Sequence, residues 1–118
     1  MPTLDHGNLA YMLALLLVEH GRAEEALAWL ETAARELPQN ARVRYNQGLL
    51  LAQMQRRDEA VIALRSGLEQ SPEDPDLLYA LIYLHALAGE RSEAGEYVSR
   101  MRDVAPGDPR LRAIEPSL

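Results

Sequence analysis

Residues 21–40 read GRAEEALAWLETAARELPQN, residues 55–74 read QRRDEAVIALRSGLEQSPED, and residues 89–108 read GERSEAGEYVSRMRDVAPGD. Laid over one another at an offset of 34, they agree where agreement carries structural meaning. Pro38, Pro72 and Pro106 superpose, as do Glu25, Glu59 and Glu93, then Ala26, Ala60 and Ala94, then Leu30, Leu64 and Val98. Gly21, Gln55 and Gly89 share the opening position, and Asn40, Asp74 and Asp108 share the closing one. The offset extends upstream through Tyr11, Tyr45 and Tyr79. Three copies of one unit therefore occupy residues 7–40, 41–74 and 75–108, leaving a tail at 109–118.

Each copy predicts two helices. In the second half of the first copy, Ala26, Leu27, Leu30, Ala33, Ala34 and Leu37 follow the i, i+4, i+7 stripe of an amphipathic helix. Acids open each second helix (Glu24 and Glu25, Asp58 and Glu59, Glu93), where the helix dipole favours negative charge. The shared prolines stop each unit. Asn40, Asp74 and Asp108 stand at N-cap positions, and Pro75 and Pro109 follow two of them at the first helical position. No strand periodicity appears.

The pattern resembles the tetratricopeptide repeat family, whose unit is a 34-residue helix–turn–helix. Gly48, the tyrosine set, the Ala26/Ala60/Ala94 set and the prolines carry the resemblance over residues 7–108. It implies an all-α, right-handed superhelical stack of six helices plus a short C-terminal turn, in which each unit buries its apolar face on its neighbours. It also implies that the first helix of each unit lines a groove. The residues expected there are Tyr11, Leu15, Val18 and Glu19, then Arg42, Tyr45, Asn46, Leu49 and Gln53, then Asp76, Tyr79, Tyr83 and Ala86. Leu9, Leu13, Leu16 and Leu17 are expected to pack into the fold.

The third unit departs from the pattern. Ile82 replaces the small residues Ala14 and Gly48, and Met101 replaces Ala33 and Gly67. Loose packing at Met101 is expected, with Leu111 and Ile114 of the tail covering it and Val98 incompletely before Pro116 halts the tail. Leu16, Met101 and Ile114 are therefore candidates for self-association into a homo-oligomer.

The run LAYMLALLLV at residues 9–18 has another possible meaning, since it is uninterrupted apolar chain. A spanning helix needs about 20 such residues, and this run meets Glu19 and His20 after ten. The residues before it lack Lys and Arg, so it does not read as a secretion signal either. Cytoplasm is the default expectation. Net charge is −6, which disfavours nucleic acid and anionic membrane surfaces as partners.

Cysteine is absent, which removes disulfides, thiol catalysis and Cys-ligated metals or clusters from consideration. His6, His20 and His85 form no paired ligand motif, and no nucleotide-binding or nucleophile-elbow motif is present. No cofactor, no metal and no enzymatic activity are expected. The acidic stretch Glu73–Asp76 reads as an N-cap and turn rather than a calcium loop.

Some tetratricopeptide repeat domains clamp the acidic tail of a chaperone with Lys, Arg and Asn. Of those positions only Asn46 matches; the others fall on Tyr11, Leu15, Asp76 and Ala80, and Asp76 would repel a carboxylate. The expected function is a protein-binding scaffold that takes an apolar peptide or amphipathic helix in a tyrosine-lined groove. The alternatives are a self-associating module and a segment of a larger bacterial repeat protein.

Overall fold

The computed structural model describes residues 5–114 and contains seven helices and no strand among them. They are α1 (His6–Glu19), α2 (Ala23–Glu36), α3 (Ala41–Gln53), α4 (Arg57–Gln70), α5 (Pro75–Leu87), α6 (Arg91–Val104) and α7 (Pro109–Ile114). The tightest packing is within the pairs α1–α2, α3–α4 and α5–α6, with α2 against α3 and α4 against α5 joining successive pairs. The all-α stack expected from the sequence is what forms.

Local chemistry starts and stops each helix. Asn40 Oδ1 accepts the backbone N–H of Arg42 at 3.0 Å, Asp74 Oδ1 that of Asp76 at 2.9 Å, and Asp108 Oδ1 that of Arg110 at 2.9 Å. These close orphan donors at the starts of α3, α5 and α7. α1 is capped one residue out of register, by Asp5, whose carboxylate accepts from Asn8 N at 3.1 Å and Asn8 Nδ2 at 2.6 Å. The second helices lack a capping side chain and open instead on paired ions: Arg22 on Glu25 and Arg56 on Glu59. The turns between paired helices each need one left-handed residue. Gly21 and Gly89 supply it at φ 71° and 75°, and Gln55 is forced into it at φ 63°.

Small residues set the distance between paired helices. A Cβ on Gly48 would lie 2.5 Å from Leu64 Cγ, so α3 and α4 meet across that glycine. In the third pair the sizes reverse: Ile82 takes the Gly48 position and Val98 the Leu64 position, and both are buried. The bulk expected to hold α5 and α6 apart is thus offset by a smaller residue opposite.

Two expectations fail at the ends of the stack. Met101 is fully buried in the cluster that holds Leu78, Val98 and Leu111, with Ile114 packed against it. Where Gly67 makes room for Leu77 of the following helix, Met101 fills space beside a much shorter helix, α7. Met101 is therefore core and not an exposed self-association surface. At the other end, Leu9 and Leu16 do not pack into the fold but are exposed, while Leu13 and Leu17 are half-buried. Pro116, expected to halt the tail, lies outside the described residues.

The buried side chains divide into two clusters, one centred on Leu30, Val43 and Leu51, the other on Leu64, Leu77 and Leu81. The molecule measures 51 × 29 × 21 Å with a radius of gyration of 15.2 Å. A compact domain of this length would have about 13.5 Å, so the stack is elongated and its core is serial.

Candidate functional site

The first helices α1, α3 and α5 lie side by side in the stack, and the 34-residue period places equivalent residues in rows across them. One row is Tyr11, Tyr45 and Tyr79; the next is Leu15, Leu49 and Tyr83; the last is Glu19, Gln53 and Leu87. A cleft of about 570 Å³ opens between α3 and α5, within the range of about 300–1,000 Å³ usual for ligand sites. Of the residues proposed from the sequence for a groove, Tyr45, Leu49, Gln53, Tyr79 and Tyr83 line it. Gly48, Ala52, Leu64 and Ala80 contribute as well, with Gln55, Arg57, Leu84, Leu87 and Ala88 towards the turn end. Sequence reasoning missed Leu87, which is 69% exposed at the cleft. The row that starts at Glu19 and Gln53 was its signal.

The other expected groove residues sit beside the cleft. Leu15, Val18 and Glu19 are exposed on α1 and continue the same face away from it. Tyr11 is half-buried, and its hydroxyl accepts from Asn46 Nδ2 at 2.6 Å. Asn46 also donates to the Arg42 carbonyl, so its amide is engaged within the fold. Each tyrosine of the first row has a partner. The Arg42 guanidinium lies 4.2 Å from the Tyr45 ring centre, and Arg110 lies 5.0 Å from that of Tyr79. These rings are held in place, whereas Tyr83 is exposed, with its ring centre 6.4 Å from that of Tyr79.

A ladder of ions runs along one lip. Arg42 Nη1 donates to Asp76 Oδ2 at 2.8 Å, and Arg110 Nη1 to Asp76 Oδ1 at 2.8 Å, while Arg110 also holds Asp108. Arg42, Asp76 and Arg110 are spaced by the 34-residue period, in the second unit, the third unit and the tail. Burial tends to raise the Asp76 carboxyl, but the hydrogen bonds from Arg110 and Arg42 outweigh it and hold the group below the ordinary range. Arg110, by its side chain and its backbone N–H, holds Asp108 low too.

A second ionic cluster sits at the turn end. The first two units place an Arg three residues before a Glu at the start of the second helix; the third places Glu90 before Glu93. Glu90 recruits Arg57 from the preceding unit and His85, whose Nδ1 lies 2.9 Å from Oε1. The His85 hydrogen bond first, then the Arg57 charge, hold the Glu90 carboxyl low. His85 stacks on Tyr97, 5.7 Å between ring centres. Ligand-type atoms of His85, Glu90 and Glu93 lie within 4.8 Å of one another. The positive charge at that point is the Arg57 guanidinium itself, and its Nε is buried with no acceptor. The cluster reads as a clasp between α4 and the α5–α6 turn. Among the described residues no helix is long and apolar enough to cross a membrane.

The tetratricopeptide repeat profile matches residues 51–115, more than half of the chain, and a second profile of the same family matches residues 4–41. The chain belongs to the tetratricopeptide repeat family. No curated protein sequence matches it significantly. Solved tetratricopeptide repeat structures do. YrrB, described as a TPR protein with an unusual peptide-binding site, is 26% identical with a TM-score of 0.84, over 96% of this chain and 58% of YrrB. MamA MSR-1 is 25% identical with a TM-score of 0.74, over 85% of this chain and 57% of MamA. The Yersinia enterocolitica type III secretion chaperone SycD, in complex with a peptide of the translocator YopD, is 16% identical with a TM-score of 0.81, over 98% of this chain and 88% of SycD. The present chain thus spans somewhat over half the length of YrrB and MamA.

Proposed function

We propose that this tetratricopeptide repeat chain is a non-enzymatic scaffold that holds an apolar peptide or amphipathic helix of a partner protein across α3 and α5. The observation that carries the reading is the cleft between these helices. Its rim offers Tyr83 and Leu87 to solvent, and its floor is made of Gly48, Ala52, Leu64 and Ala80. Small floor residues make depth, and large rim residues supply contact area with few rotatable bonds to freeze. YrrB, similar over nearly the whole of this chain, has a peptide-binding site. Six to eight side chains of this kind contribute about 10 kcal/mol gross at roughly 1.5 kcal/mol each. Association costs about 4–15 kcal/mol, so at most about 6 kcal/mol survives and the affinity expected is no tighter than tens of micromolar.

The partner's contacting face is apolar and not acidic. The cations on the lip, Arg42 and Arg110, are already neutralised by Asp76 and Asp108. A phage-displayed random peptide library selected on the purified chain, followed by calorimetry of the best binders, tests this. Aliphatic or aromatic residues at helical or alternating spacing are expected in the winners. Tyr83→Ala combined with Leu87→Ala, both at exposed positions, should weaken them at least tenfold. Binders indifferent to that double substitution would remove the cleft from consideration.

A further inference from the structure

Gln55 combines two properties that its counterparts in the other units do not share. Gly21 and Gly89 make the turns of the first and third units at φ 71° and 75°, a conformation open to glycine without steric cost. Gln55 makes the middle turn at φ 63°, where a side chain crowds its own backbone. Of the three turn residues, Gln55 alone lines the cleft between α3 and α5. Packing at this turn does not call for a side chain, since a Cβ on Gly21 or Gly89 would meet nothing within 4 Å. Strained residues of this kind gather at binding sites, where the side chain is needed for a contact.

Polar groups along the cleft divide unevenly. Towards the ion ladder, Tyr45 and Tyr79 are held by Arg42 and Arg110. Arg57 is the one charged residue among the described residues that line the cleft, and it is closed on Glu90 and His85. With that charge matched, the cleft complements an uncharged ligand. Gln53 and Gln55 remain, both exposed at the turn end. Among the described residues neither carboxamide has a hydrogen-bond partner. A carboxamide both donates and accepts, as a peptide group does, so the two pair reciprocally.

A peptide helix keeps its interior N–H and C=O groups for itself, whereas an extended chain presents them sideways to a neighbour. The rim fits an extended chain as well. Tyr79, Tyr83 and Leu87 recur every fourth residue along α5, about 6 Å apart at a rise of about 1.5 Å per residue. Alternate side chains of an extended chain recur at about 6.6 Å.

Resting on the cleft as the binding site, we propose that its occupant is an uncharged, extended peptide segment lying along α5, whose main chain is paired by the Gln55 carboxamide. Gln55 is thus a specificity-determining residue. It selects extended chain over helix, and the middle turn keeps a strained side chain for that contact.

The probe is the best-binding peptide selected from the random library on the purified chain, labelled with a fluorophore and titrated by anisotropy. Gln55→Met keeps the length and the strained backbone but has no carboxamide. Gln55→Gly removes the side chain and relieves the turn. Each should weaken the peptide by about tenfold, the order expected when a peptide group loses its partner away from water. Gln55→Gly should do so while melting at a higher temperature than the parent. N-methylation of the peptide one residue at a time should find an amide whose loss costs the parent about tenfold and Gln55→Met less than about threefold. Carbon chemical shifts of an isotope-labelled peptide in the complex should be those of extended chain.

A peptide bound as a helix, affinity unchanged in either Gln55 variant, or the absence of any amide coupled to Gln55 would each overturn the assignment. The cleft itself survives those results if Tyr83→Ala with Leu87→Ala still weakens binding. Binders indifferent to that double substitution, or a library that yields no binder, remove the cleft and this assignment together.

Discussion

Gln55 holds a backbone conformation that its two counterparts give to glycine. A side chain at φ 63° costs on the order of 1–2 kcal/mol, while glycine in the same place costs some of that back through a freer unfolded chain. Gln55→Gly should therefore stabilise by about 0.5–1 kcal/mol, seen as a rise in the thermal midpoint without change in the far-ultraviolet spectrum. Asp76 makes a prediction with a pH signature. Its proton affinity is lowered in the folded state by Arg110 and Arg42. Its contribution is therefore complete above the unfolded value near 3.8 and is lost as pH falls through the lower folded value. Asp76→Asn should be less stable than the parent above about pH 5, by under about 1 kcal/mol because the group is partly exposed, with the difference shrinking in acid. Chemical denaturation across pH 2–7 checks both the size and the convergence. These residue-level features differ in how far the sequence announced them. The caps at Asn40, Asp74 and Asp108 were legible because an N-cap is a local bond. The Glu90 clasp was not, because its partners come from a preceding unit and the helix before it.

Among the elements, pairing distance is governed by which residue is small. Gly48 lets Leu64 reach α3, and a methyl group there would overlap Leu64 Cγ and Cδ2. Gly48→Ala gains helix propensity of up to about 1 kcal/mol and suffers overpacking of about 1–3 kcal/mol. A net loss of about 1 kcal/mol or more is expected, read as a lower urea midpoint. The same substitution narrows the cleft floor and should weaken any peptide held there. In the third pair the order of sizes is inverted, and this is where reading the sequence by single positions goes astray. Ile82 looked like a defect when compared with Gly48 alone. Compared together with Val98 against Leu64, it is one half of an exchange. The period identified every one of the six paired helices, because caps, acids and prolines act within a few residues. It did not identify the fate of Met101, since that depended on how far a short tail folds back.

For the whole molecule, the serial core means that stability is passed from one unit to the next rather than shared by all. Among the described residues α7 supplies Leu111, and in part Ile114, to the last cluster, where they pack with Met101. Leu111→Ala should cost about 2–4 kcal/mol locally. Amide hydrogen exchange should show the loss first in α6 and least in α2. Uniform loss across all helices would mean that the stack unfolds as one body instead. The groove's row structure was legible from the period, since rows follow from equivalent positions. Which part of it forms a cleft was not, because depth arises from the neighbours Ala52, Ala80 and Leu64 rather than from the rim.

The α7 segment has a bearing on how such a chain lengthens. It opens with Asp108, Pro109, Arg110 and Leu111, the same succession of cap, proline, ladder ion and buried anchor that opens α5 with Asp74, Pro75, Asp76 and Leu77. The seam that a further unit would need is already made. A designer inserting a 34-residue copy after Asp108 would join matching edges on both sides, with Arg110 or its replacement continuing the ion ladder. Each insertion would add one tyrosine, one cleft and one rung to the face formed by the first helices, so that the length of the stack is set by a count of modules and its chemistry by a handful of positions within each.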